Sequence, residues 1–110
     1  MTALADSTCE PCKSGTGALD RAEAELLISE LDDWLLSEDA TAISRRFESK
    51  GFAKAVQMAN LAAWVGDKNG HHPDICFGWG YCTVTFTTHE AKGLSRNDFI
   101  CAAKLDQIVA

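Results

Sequence analysis

Of the three histidines in the chain, two stand side by side, His71 and His72, with Pro73 directly behind them. The third is His89. An unperturbed imidazole titrates near pH ~6.5, so it can donate or accept a proton at working pH. A single histidine is more often structural. Two adjacent ones at a helix-to-strand junction point to general acid–base chemistry, because junctions present functional groups on a rigid scaffold. Neighbouring side chains rarely aim at one point, so His71 and His72 are expected to have different roles. The same geometry argues against a metal: adjacent histidines seldom chelate one ion, and no His-x-x-x-His or Cys/His spacing accompanies them.

Other chemistry-bearing groups have bland readings. Cys9 and Cys12 form "CEPC". This Cys-x-x-Cys lacks a second ligand pair at finger-like spacing and the strand–helix setting of a redox motif. It reads as an incidental pair of thiols, with metal or redox use as the lesser alternatives. Asp98 sits at the fourth place of "SRND", where a carboxylate serves a helix N-terminus as the N3 residue of a capping box. Asp67 reads as a helix-surface carboxylate.

The elements that must position these groups follow from apolar periodicity. "DRAE" at Asp20 to Glu23 is a capping-box pattern, and a helix follows to about Leu31. Trp34-Leu35-Leu36 reads as a short strand and Ala42 to Glu48 as a second, with a hairpin turning around Glu38-Asp39. Gly51 opens the longest helical pattern. Phe52, Ala55, Val56, Ala59 and Ala63 line one face of it; Met58, Leu61, Ala62 and Val65 line another. Gly70 suits its end, and Pro73 forbids further helix. Ile75, Phe77 and Trp79 are odd-numbered apolar positions, whereas Cys82, Val84 and Phe86 are even-numbered. That change of phase predicts a hairpin or bulge around Gly80-Tyr81. Ser95 starts a last helix with Cys101, Leu105 and Ile108 on one face. The order is α-β-β-α-β-β-α. It predicts an α+β fold, an antiparallel sheet with helices on one side. Residues 1–18 read as a mobile N-terminal arm and 19–110 as the folded domain.

Composition sets the class. A chain of 110 residues, 46% hydrophobic and 24% charged, suits one soluble domain. A net charge of −6 argues against nucleic acid, whose affinity rests on clustered Lys and Arg. The pair Arg45-Arg46, with Lys50 and Lys54 nearby, reads as a solvated face. No signal peptide and no apolar run near the ~20 residues of a membrane span is present, so a cytoplasmic location is expected, with the five cysteines as free thiols. A central helix apolar on two sides predicts a homo-oligomer, a dimer or a dimer of dimers.

As a set, Asp67-x-x-x-His71-His72-Pro73, then Trp79, His89 and Asp98 resemble the signature of the pterin-4a-carbinolamine dehydratases. The intervals of five, nine and eight residues after Pro73, Trp79 and His89 match that signature. "THEAKGLSRNDF" and "AAKLDQIVA" are similar to the family's C-terminal helix region. Trp34 falls where the family carries a tryptophan, and "CEPC" before a Gly-rich link is similar to bacterial members. Ser49 and Gly70 depart from the pattern, standing where many members have an aromatic and an acidic residue. The resemblance implies four antiparallel strands with helices on one face. It implies dehydration of 4a-hydroxytetrahydropterin to quinonoid dihydropterin, in recycling the cofactor of aromatic amino-acid hydroxylases. It implies no metal or organic cofactor, and a homodimer or homotetramer. His71 and His89 match the proton-transfer positions. His72 is placed for pterin binding, and Asp98 for orienting a histidine. Asp67, Pro73, Trp79 and Trp34 fall in the substrate-binding set, the tryptophans offering apolar ring faces. The alternative is a binding role on the same fold, as a transcriptional cofactor or as an assembly factor for ribulose-bisphosphate carboxylase. Retention of all three histidines and Asp98 favours the enzyme.

Overall fold

The computed structural model describes residues 4–10 and 17–109. Its main elements are α1 (Arg21–Ile28), β1 (Leu35–Leu36), β2 (Ile43–Glu48), α2 (Phe52–Asn69), β3 (Asp74–Gly78), β4 (Tyr81–Phe86) and α3 (Arg96–Val109). Short 3-10 turns occupy Leu4–Asp6 and His89–Ala91. The expected order of helices and strands is the observed one.

All strand pairs are antiparallel, and the sheet order is β1-β2-β4-β3. The change of phase between β3 and β4 has its cause in a tight hairpin. Gly78 pairs with Tyr81, leaving Trp79 and Gly80 as the turn, with Gly80 at φ 86°. A positive φ is strained for any residue with a Cβ, which is why a glycine stands there. Trp79 is therefore a turn residue and not the end of the β3 apolar row.

Along β4 every second residue is buried: Cys82, Val84 and Phe86. Ile43 joins them from β2, paired directly opposite Phe86. Against this face pack Ala59, Ala62 and Val65 of α2, and Phe99, Ile100 and Leu105 of α3. The stripe Ala55, Ala59, Ala62, Gly66 recurs at helical spacing, so α2 offers small residues to the sheet and approaches it closely. Elsewhere on the helix Phe52, Leu61 and Trp64 are exposed.

Helix ends are built locally. Asp20 accepts from the Glu23 N–H at 2.8 Å, and the Asp20 N–H donates to the Glu23 carboxylate at 3.3 Å, so the expected capping box of α1 is complete. After α2, Gly70 adopts φ 66°. Its N–H donates to the Asp67 carbonyl (3.2 Å), and the His71 N–H donates to the Gly66 carbonyl (3.0 Å). This is the Schellman pairing that ends helices with a left-handed glycine.

One expectation needs correction. Arg45 is not on a solvated face. Its guanidinium donates to Asp106 of α3 at 2.7 Å and stacks 4.3 Å over the Phe47 ring, leaving only Arg46 of the pair exposed. Period-two alternation turns consecutive residues to opposite faces, so the two arginines could not share one. Residues 4–10 of the expected arm lie packed on the domain. Leu4 is buried in the core cluster, Lys104 donates to the Ala5 carbonyl at 2.9 Å, and Asn97 clasps Glu10 at both its N–H and its carbonyl.

Candidate active site

The end of α2 delivers His71. The Schellman pairing fixes its backbone, and Pro73 then turns the chain into β3. Pro73 Cδ comes so close to Gly66 that an added Cβ there would stand 2.4 Å from it. Gly66 is therefore the bare spot on α2 against which the His71–Pro73 segment folds back.

The His71 ring lies flat beside Phe86, 6.2 Å between centroids and 12° between planes. Nε2 meets Asp98 Oδ1 at 2.5 Å. Asp98 is fully buried at the start of α3, and its other oxygen is occupied as well. Oδ2 accepts from the Ser95 N–H (2.9 Å) and from the Thr88 hydroxyl (2.7 Å). The Ser95 hydroxyl pairs with Thr88 instead of the Asp98 N–H, so only half of the expected capping box forms. One carboxylate oxygen of Asp98 thus caps α3, and the other faces the imidazole.

This arrangement selects a tautomer. A carboxylate accepts, so Nε2 carries the hydrogen and Nδ1 is left free to take or give a proton. The His71 side chain is 10% exposed. No buried polar side-chain atom among the described residues lacks a partner, so the unbonded Nδ1 sits on that exposed part. Burial opposes charging of the ring and is the largest single influence. The hydrogen bond and charge of Asp98, with smaller help from Cys9 and Glu90, outweigh it and hold the His71 pKa above the ordinary imidazole value.

The remaining candidates fall into two groups. Thr88 carries His89 directly after it, at the start of the 3-10 turn behind β4, so Asp98 ties the His71 and His89 segments to one point. His89 itself is exposed. His72 is 69% exposed and faces the exposed Asp67 at 3.6 Å. Trp79 is 74% exposed at the β3–β4 turn. Trp34 differs from them in burial. It is only 4% exposed, packs on Phe86, and donates its indole N–H to Asp106 at 2.9 Å. Its ring packs in the core cluster beside β1.

Sequence reasoning missed Thr88, Ser95 as its hydroxyl partner, and Gly66. Thr88 had one available signal, its place directly before His89. Gly66 had none, since its role is defined by a proline that returns to it. Cys12 lies outside the described residues. Among the described residues, no group of three or more His, Cys, Asp or Glu side chains is arranged to hold a metal.

A hollow of about 380 Å³ lined by Ser7, Thr8, Glu10, Arg96, Asn97 and Ile100 contains none of the histidines. Chemistry, not cavity size, locates the site.

Comparison with known proteins bears on this geometry. The family model described as Pterin 4 alpha carbinolamine dehydratase matches residues 17–108. The chain belongs to the pterin-4a-carbinolamine dehydratase family. A provisionally named pterin-4-alpha-carbinolamine dehydratase of Cupriavidus pinatubonensis is 43% identical, over 97% of this chain and 92% of its own length. One of Paracoccus denitrificans is 48% identical, over 84% of this chain and 86% of its own. The crystal structure of a transcriptional coactivator/pterin dehydratase from Brucella melitensis superposes with a TM-score of 0.77 at 29% identity, covering 86% of this chain and all of that one. A pterin dehydratase-like RuBisCO assembly factor of the alpha-carboxysome shares the fold, with a TM-score of 0.59 at 20% identity. The dehydratase family fold is thus the four-stranded antiparallel sheet with three helices seen here.

Proposed function

We propose that the protein dehydrates 4a-hydroxytetrahydropterin to quinonoid dihydropterin and water. The observation that carries this reading is the His71–Asp98 pair: a histidine at a helix end, backed by a buried carboxylate, with one ring nitrogen open. The C4a hydroxyl is a poor leaving group until it is protonated. The N5 lone pair expels it as water, forming the C4a–N5 double bond, and the N5 proton must then be removed. No electron is transferred, so the reaction needs acid and base groups that titrate near neutrality. His71, whose pKa is raised above the usual imidazole value, is the proposed acid, giving its proton from Nδ1. His89 is the partner base, and His72 with Asp67 orients the polar edge of the pterin. Trp79 offers its exposed ring to the pterin face, and Pro73 shapes the floor behind the histidines.

The family membership and the retained histidines support this assignment. The proposed setting is the cytoplasm, downstream of an aromatic amino-acid hydroxylase that releases the carbinolamine. The proposed assembly is a homodimer or homotetramer. Purified protein should accelerate carbinolamine dehydration, and replacing His71 or His89 by Ala should lower the rate by roughly 10²–10⁴ for each proton-transfer role lost. A double variant that dehydrates the carbinolamine at the wild-type rate would refute the assignment.

A further inference from the structure

Cys9 and Cys101 are 92 residues apart in the chain, yet their sulfurs lie 3.5 Å apart. Cys9 is half-buried on the packed N-terminal segment, and Cys101 is fully buried in α3, one turn beyond Asp98. The approach is built into the fold. Asn97 takes the N–H of Glu10 on its side-chain oxygen at 3.0 Å and donates to the Glu10 carbonyl at 2.6 Å, which holds the neighbouring Cys9 over the helix. A disulfide needs about 2.05 Å between sulfurs. The pair must therefore close by only about 1.5 Å, within reach of a side-chain rotation at Cys9, whose segment lies outside any helix or strand.

We propose that Cys9 and Cys101 form a peroxide-sensitive dithiol that closes reversibly to an intramolecular disulfide, stapling the N-terminal segment to α3 beside the His71–Asp98 pair. The two sulfurs have distinct parts. The two thiols share a hydrogen bond that either sulfur can donate; given by Cys101 it favours the Cys9 thiolate, and His71 and Lys104 add positive charge. Together they outweigh burial and the Asp98 charge and lower Cys9 to about 7. Cys101 is pushed up by its bond to Cys9 and by burial. Cys9 is thus the nucleophile, since the thiolate is the reactive form, and Cys101 the resolving thiol.

The oxidant is hydrogen peroxide or another hydroperoxide. The Cys9 thiolate attacks one peroxide oxygen. An S–O bond forms, the O–O bond breaks, and the departing oxygen anion takes a proton from water. Cys9 becomes a sulfenic acid, and the peroxide is reduced. The Cys101 sulfur then attacks Cys9. The S–S bond forms, the S–O bond breaks, and hydroxide leaves with the Cys101 proton as water. Two electrons pass from the sulfurs to the peroxide, and an external thiol reverses the change.

The test uses the full-length protein, reduced, exposed to one equivalent of hydrogen peroxide, alkylated, and mapped by mass spectrometry without reduction. The expected product is one peptide pair joining Cys9 to Cys101, lost on treatment with dithiothreitol. Cys12→Ser, which removes the competing thiol of the same motif, should leave this link intact. In Cys101→Ser, Cys9 should stop at the sulfenic acid and be captured by dimedone. Should burial of Cys101 make that variant unfold, Cys9→Ser gives the complementary reading, with Cys101 remaining reduced under the same dose. A Cys9–Cys12 link, a link between two chains, or oxidation of the exposed Cys76 ahead of Cys9 would overturn the proposal.

Discussion

At the scale of the residue, Asp98 decides how His71 behaves. Asp98→Asn keeps an oxygen to accept the Ser95 N–H but removes the charge. With only Cys9 and Glu90 left to oppose burial, the His71 pKa is expected to fall. An NMR titration of the ring would read this, and an unchanged value would show that the carboxylate does not set the proton affinity. The raised pKa also has a stability consequence with a definite sign. The folded protein holds the His71 proton more tightly than the unfolded chain does. That stabilisation is complete below the unfolded value near ~6.5, declines as pH rises through the folded value, and is absent above it. Urea unfolding of wild type and His71→Asn should therefore differ most at low pH, the gap narrowing across this window. The individual residues of the pair were legible in the sequence, but their meeting was not, since they stand 27 positions apart. Trp34 shows the reverse problem. A large apolar ring suits a ligand or a core equally, and its burial here comes with a bond to Asp106, 72 positions away.

At the scale of the element, the end of α2 is where backbone conformation becomes chemistry. Gly70 and Gly66 contribute in different ways, and substitution separates them. Gly70→Ala meets no neighbour but keeps a positive φ, a cost of about 1–2 kcal/mol from backbone strain. Gly66→Ala drives a methyl into Pro73 Cδ and to 3.1 Å from the His71 carbonyl. Overpacking costs roughly 1–3 kcal/mol, of which alanine's better helix propensity offsets about 1 kcal/mol. Urea melts would measure both. Only Gly66→Ala should also shift the His71 titration, because only there must the His71–Pro73 segment move. The stop at Gly70 and the break at Pro73 were readable from residue types alone. The requirement at Gly66 was not, because it arises from a contact across the helix end.

At the scale of the whole molecule, the sheet has two open edges, β1 and β3, with apolar side chains near both. Leu35 is exposed on β1. On β3, Phe77 sits 6.0 Å from Phe52 at the start of α2, and both are largely uncovered. Such edges and patches favour association between copies. Light scattering at micromolar concentration is expected to give a mass well above the 11.9 kDa of one chain. Phe77→Lys or Leu61→Glu, both at exposed positions, should move the protein towards monomer with its fold retained. A wild-type protein monomeric across that range would remove this reading of the surface. That α2 is apolar on more than one side was visible in the sequence, but the expected division into two faces is not the observed one. The buried stripe takes Ala55 and Ala59 from one expected face and Ala62 and Val65 from the other, and leaves Phe52, Ala63 and Leu61 exposed. The small residues Ala55, Ala59, Ala62 and Gly66 permit the close approach to the sheet.

The shared duty of Asp98 bears on how such a chain can diverge. Whatever the chain does, Asp98 must hold Ser95 and Thr88 at the head of α3, whereas position 71 must fill the space beside Phe86 and donate to Asp98 Oδ1. Under selection for folding alone, a library randomised at both positions should hold an acid at 98 and accept at 71 other side chains that can donate to it. An aspartate at this place therefore testifies to the scaffold. On the proposed dehydratase reading, the histidine is the position whose loss would mark a relative that has kept only the fold.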